Sequence, residues 1–123
     1  MIFNDRVSKV KQELSNNKLD GLYITNLTNI KYLTGFTGSA GSLLILENEQ
    51  HFFTDGRYTE QCKEQIKNCT VNIAGSGHDV YIAKNNIIPV DTAIGFEGNH
   101  MTVSQYENLK NLMPKIKWTK ISG

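Results

Sequence analysis

Apolar positions along the chain recur at two spacings, and their alternation lays out the elements. Val7, Val10 and Leu14 share one helical face behind Asn4, a capping residue, which predicts a helix from Asn4 to about Asn16 or Asn17. Gly21-Leu-Tyr-Ile-Thr25 predicts a short buried strand. A brief helix then starts at Asn26 or Thr28, carries Ile30 and Leu33, and stops at Gly35. Ser42-Leu-Leu-Ile-Leu46 is too short and too apolar for anything but a buried strand. Glu47-Asn-Glu-Gln50 supplies a turn, and His51-Phe-Phe-Thr54 is its antiparallel partner.

Asp55 is expected to cap a third helix, in which Tyr58, Cys62 and Ile66 repeat at four-residue steps and put Cys62 in the core. Thr70-Val-Asn-Ile-Ala74 predicts a fourth strand. A short helix follows from about Asp79 and is ended by Pro89. Thr92-Ala-Ile-Gly-Phe96 predicts a fifth strand. Thr102-Val-Ser-Gln105 has the capping-box pattern and opens a helix with Val103, Tyr106, Leu109 and Leu112 inward. Lys117-Trp-Thr-Lys-Ile121 closes the set as a strand. Strands alternating with helices, plus one hairpin, imply an α/β fold: three layers, α/β/α, around a mixed sheet of about six strands.

Composition changes this picture little. The 123 residues suit one domain with a single core, and a net charge of +1 gives no global electrostatic case for nucleic acid or an acidic membrane. The start, MIFNDRVSKVKQEL, lacks the apolar run of a secretory signal, and no segment approaches the roughly 20 apolar residues of a membrane span. A cytoplasmic protein is expected. The sequons at Asn26 and Asn68 then carry no weight, and Cys62 and Cys69, without metal or redox spacing, read as buried thiols in a reducing compartment.

The glycine-rich stretch Gly35-Phe-Thr-Gly-Ser-Ala-Gly41 invites comparison with a phosphate loop. Such a loop works because a strand feeds a glycine turn that opens a helix, whose free N–H groups then meet the anion. Here the order is helix, loop, strand. The spacing is Gly-x-x-Gly-x-x-Gly, and Ser42 stands where a lysine would be needed. A flexible connector is one reading. The other is a hinge-like loop that displays Phe36 among small residues, leaves backbone N–H groups accessible and packs against another surface.

From Asn29 to Gln61 the chain resembles the N-terminal domain of aminopeptidase P and its Xaa-Pro peptidase relatives, in the creatinase, prolidase and aminopeptidase family. The resemblance lies in Tyr32-Leu-Thr-Gly-Phe36, Gly38-Ser-Ala-Gly41 and Thr54-Asp-Gly-Arg-Tyr58, and it continues through Ile94-Gly-Phe-Glu97 and the helix capped at Thr102. GFTGSAG with TDGRY looks more like the aminopeptidase P branch than the prolidase branch. The resemblance implies a creatinase N-terminal domain fold, similar to ribonuclease H, over residues 1–123. It further implies a parent enzyme in which a "pita-bread" domain follows and binds two divalent metals, manganese or cobalt, through two Asp, one His and two Glu. The implied role of the N-terminal domain is to form oligomer contacts and wall in the active-site mouth, for short proline-containing peptides. That second domain, with all five metal ligands, is not in this sequence, so the fragment by itself is expected to be inactive and to hold no cofactor. Either the chain is cut to the first domain, the favoured expectation, or it is a standalone, non-enzymatic binding module of the same fold.

Individual residues sharpen the site. His51, His78 and His100 have no metal-binding spacing, and Asp79 is expected to start a helix after a Gly-Ser-Gly turn. Arg57 stands at the first turn of a helix, where the dipole disfavours a cation, so it needs a partner. Asp55 or Glu60 is one choice, and the following domain or an incoming peptide is another. Tyr58 is expected to pack inward with its hydroxyl at the edge. Phe36, Thr37, Gly38 and Ser39, with Arg57 and Tyr58, are the candidates for the domain interface or the neighbourhood of substrate. A Ser39 nucleophile finds no His and acid at a supporting spacing. Trp118 is expected in the core or at a domain interface.

Overall fold

The computed structural model describes residues 2–75 and 77–121. In chain order it forms α1 (Ile2–Asn16), β1 (Gly21–Ile24), α2 (Leu27–Thr34), β2 (Ser42–Leu46), β3 (Gln50–Thr54), a 3-10 turn (Gly56–Tyr58), α3 (Thr59–Gln65), β4 (Thr70–Ile73), α4 (His78–Lys84), β5 (Ala93–Glu97), α5 (Val103–Leu112) and β6 (Lys117–Ile121). The strands make one sheet in the order β4-β3-β2-β1-β5-β6. Within it β2 pairs antiparallel with β1 and with β3, and every other pairing is parallel.

Alternation along the strands divides two cores. Leu22, Ile24, Leu43, Ile45 and Phe52 point to the face covered by α1, α2 and α3, where they meet Val7, Leu14, Ile30, Leu33 and Cys62. Tyr23, Leu44, Leu46, Phe53 and Ile94 point to the other face, against Ile82 of α4 and Leu109 of α5. Every residue of β2 is buried, as its uninterrupted apolar run requires of a central strand covered on both sides. The three-layer α/β/α expectation holds. Trp118 packs on the second core, edge-on to Tyr23 at 6.4 Å between ring centroids, and its indole N–H has no partner among the described residues.

Three local expectations are corrected. Asn4 does not cap α1, which already runs from Ile2. Pro89 does not end α4: the helix stops at Lys84, where Asn86 takes a left-handed φ of 50° and Ile87 N–H reaches back to the Ile82 carbonyl. In α5, Val103 is 73% exposed and Leu112 40%, while Leu109 and Met113 are buried and Tyr106 stacks on Phe96. The reason is geometric. Steps of three residues each fall about 60° short of a turn, so Val103 and Leu112 lie on opposite sides of the helix and cannot both face inward.

Candidate functional site

The glycine-rich loop is built around buried rings. Gly35 takes the left-handed φ of 84° that ends α2, and its N–H closes onto the Lys31 carbonyl. Phe36 is only 1% exposed, with its ring 4.6 Å from Phe52 and 5.5 Å from Tyr58 between centroids. It is therefore a core residue and not a displayed anchor. A Cβ on Gly38 would stand 2.8 Å from the Tyr58 ring and closer still to that of Phe36, and one on Gly41 would meet the Phe52 ring at 2.7 Å. These two glycines let aromatic rings rest on the backbone.

Side chains from the next helix and strand then tie the loop down. Thr37 N–H donates to Gln65 Oε1 at 3.0 Å, and the amides of Gln61 and Gln65 both donate to Thr37 Oγ1. Ser39 N–H donates to the Tyr58 hydroxyl at 3.2 Å, and the Ser39 and Tyr58 hydroxyls share a further hydrogen bond. Buried Thr54 donates to the Ala40 carbonyl at 2.7 Å. The hinge-like reading is thus corrected. The loop is braced, and the N–H groups of Phe36, Thr37 and Ser39 are all engaged.

Asp55 caps the 3-10 turn by accepting from Arg57 N–H at 2.9 Å, and its carboxylate takes the Arg57 guanidinium in a two-pronged pair at 3.0 and 2.9 Å. Of the two intradomain acids considered for Arg57, Asp55 is the partner. That hydrogen bond holds the Asp55 carboxyl below its usual range, and hydrogen bonds with Ser39 lower the Tyr58 phenol. Five of the six candidates thus form one patch: Phe36, Gly38 and Ser39 against Tyr58, with Arg57 lying over the Tyr58 ring at 5.2 Å. Thr37 turns instead to α3.

Beside this patch lies a crevice of about 450 Å³ that the sequence gave no means of finding. Its position follows from topology. β1 leads to α2 on one face of the sheet, while its parallel neighbour β5 leads to α5 on the other. The parallel neighbours β3 and β4 diverge in the same way, to α3 and α4. Chains that part above and below adjacent strands leave a gap at the carboxyl ends, where ligands settle in open α/β sheets. Here both gaps open at the start of β2. Of the six candidates only Ser39 lines the crevice.

Polar groups converge on it from separate elements. Ser42, 2% exposed, shares a 2.8 Å hydrogen bond between its hydroxyl and His78 Nδ1 at the start of α4. Burial lowers the His78 pKa from its ordinary value, against the opposing pull of Asp79 and Asp55. Tyr23, also lining the crevice, is pushed up to about 12, chiefly by burial, with the Ser42 hydroxyl acting in the other direction. The expectation that Asp79 starts the helix is corrected: α4 begins at His78, with Gly77 before it and no side-chain cap, and Asp79 lies in the first turn, where it accepts from Val80 N–H at 2.9 Å; Ser76 of the preceding turn lies outside the described residues. Burial thus favours the neutral forms of the Tyr23 hydroxyl and the His78 imidazole, which share the crevice with Asp55 and Asp79.

Comparison with known proteins places this architecture. The model of the creatinase/prolidase N-terminal domain matches residues 6–123. An uncharacterized peptidase of Bacillus subtilis, YqhT, is 36% identical over 102 residues, covering 82% of this chain and 29% of that protein. An Xaa-Pro dipeptidase from Bacillus anthracis superposes with a TM-score of 0.89 at 25% identity, covering 98% of this chain and 34% of that one. An Xaa-Pro aminopeptidase chain from Streptococcus pyogenes gives 0.88 at 27% identity, covering 99% and 93%. The chain spans less than a third of the length of the curated relatives it matches. With both the braced Gly-Phe-Thr-Gly loop and the six-stranded mixed sheet accounted for, this chain belongs to the creatinase/prolidase N-terminal domain family.

Proposed function

We propose that the chain is the non-catalytic N-terminal domain of a metal-dependent Xaa-Pro exopeptidase, closer to aminopeptidase P than to prolidase, whose hydrolytic domain follows it. The observation that carries this reading is the family match over residues 6–123 in a chain spanning under a third of its curated relatives. In this reading the Phe36–Ser39 loop and the Arg57–Tyr58 turn form a stiff wall beside the mouth of the parent's active site, where they restrict entry to short proline-containing peptides. The bracing of the loop supports that role, because a wall that selects by size has to keep its shape.

The same proposal assigns contacts between subunits of a homo-oligomer to this domain, and a pair of manganese or cobalt ions to the domain that follows. This chain's own donors do not fit such a pair: among the described residues no three of His, Cys, Asp and Glu converge to hold a metal. A cytoplasmic location belongs to the proposal as well, supported by two cysteines that stay unpaired.

The test is hydrolysis of Xaa-Pro peptides with added manganese, comparing the 123-residue chain with the full reading frame that contains it. Cleavage by the longer protein alone is the expected result. Cleavage by neither would remove the peptidase assignment and leave a binding module.

A further inference from the structure

The crevice at the carboxyl edge of the sheet is furnished for a ligand of one charge type. Among the described residues no lysine or arginine lines it, whereas Asp55 and Asp79 do. Several donors at the helix N-termini beside it are already taken. The Glu97 carboxylate accepts from Thr25 and Asn26 N–H at 2.9 and 3.0 Å, ahead of α2. The Thr102–Gln105 box closes α5, and Asp79 takes the Val80 N–H of α4. Asp55 is neutralised by Arg57, but Asp79 pairs with no cation among the described residues. The Asp79 charge is felt by both Tyr23 and His78.

A second feature is independent of charge. Thr25, at the crevice wall, has a buried hydroxyl with no hydrogen-bond partner among the described residues. Such a group costs free energy until something satisfies it. Tyr23, 5% exposed, and Ser42, 2% exposed, are further polar groups set into the same wall. Leu27, Met101 and Leu109 supply apolar surface to the same crevice.

We propose that this crevice binds the protonated N-terminal amine of a short peptide, with Asp79 as its counter-ion, the hydroxyls of Tyr23 and Thr25 as acceptors, and the first side chain against Leu27 and Met101. Choosing a peptide as the bearer of the amine rests on the function proposed above; the preference for an amine does not. A free amino acid fits less well, because its carboxylate would enter a site already rich in acid.

The test is a titration of the ¹⁵N-labelled 123-residue chain with Ala-Pro-Ala and with its N-acetylated form, following backbone amide shifts. The free peptide is expected to move Thr25, Gly41, Gly77 and His78. Acetylation is expected to weaken binding by about tenfold, the change that follows from losing one charge-assisted hydrogen bond. Asp79→Asn, which keeps an oxygen to accept from Val80 N–H, is expected to lose a similar factor with an unchanged melting temperature. Equal binding of the acetylated peptide, indifference to Asp79→Asn, or no shifts at the crevice would each overturn the proposal. Failure of the longer protein to cleave peptides, with these shifts intact, would overturn the peptidase reading alone.

Discussion

Ser42 and His78 meet at 2.8 Å, hydroxyl to imidazole Nδ1, although 36 positions separate them in the chain. Ser42 opens the central strand β2 and His78 opens α4, so the bond ties the middle of the sheet to the helix that leaves its edge. Because burial lowers the His78 pKa, the unfolded chain takes up its proton at a higher pH than the folded one. Stability is therefore full above the ordinary histidine value of about 6.5 and falls as pH drops below it. Melting temperatures measured from about pH 7.5 down to about pH 5.5 are expected to decline, and His78→Gln is expected to flatten that decline. An identical slope in the variant would remove His78 as its source.

Gly38 and Gly56 separate two reasons for a glycine. A Cβ at Gly38 collides with the rings of Phe36 and Tyr58, whereas nothing lies within 4 Å of one at Gly56. Gly38→Ala is expected to cost about 1–3 kcal/mol by overpacking. Gly56→Ala is expected to leave the urea midpoint nearly unchanged. Equal effects would mean that the loop yields to the added methyl.

Phe36→Ala tests whether the loop's aromatic is core or contact. Loss of a fully buried Phe costs about 3–5 kcal/mol, a large share of the 5–15 kcal/mol typical of a domain. The expected outcome is a strong drop in the urea midpoint of the 123-residue chain. A residue serving only to touch another domain would leave that midpoint where it was.

How far the sequence carried the fold depended on how local each signal was. β2 was legible residue for residue, because four apolar positions behind Ser42, between a glycine loop and a polar turn, admit one structure. The Thr102–Gln105 box and the Gly35 stop were legible for the same reason, since each cap is complete within a few residues. The burial of Phe36 was not, because it depends on Phe52 and Tyr58 arriving from the next strand and turn. The crevice was least legible of all. It exists because β1 and β5 are neighbours whose following chains part to opposite faces, and no short window of sequence states which strands are neighbours.

Arg57 is mostly exposed, held by Asp55 alone of the acids near it. Its removal is expected to leave the melting temperature of this chain almost untouched, since exposed ion pairs contribute little. Asp55→Ala is expected to lower it, because the cap of the 3-10 turn goes with the ion pair. In the longer protein, the wall proposed above predicts that Arg57→Ala reduces kcat/KM for Xaa-Pro peptides several-fold while stability stays constant. Parallel losses of stability and activity would assign Arg57 to the fold only.

Glu97 reaches back across the β5–β1 pair to hold the start of α2. Its Oε1 accepts from Thr25 and Asn26 N–H, and its Oε2 accepts from the Asn29 side chain. Glu97→Ala leaves two part-buried N–H groups without their acceptor, at an expected cost of about 1–3 kcal/mol. Glu97→Gln retains one acceptor oxygen and is expected to recover much of that loss. Because Thr25 and Leu27 line the crevice, the two variants also bear on binding. Glu97→Ala is expected to speed amide hydrogen exchange from Thr25 to Thr28 and to weaken the free peptide, and Glu97→Gln to restore both together. Restoration of exchange protection without restoration of binding would mean that the Glu97 charge, and not the placement of α2, is what the ligand senses.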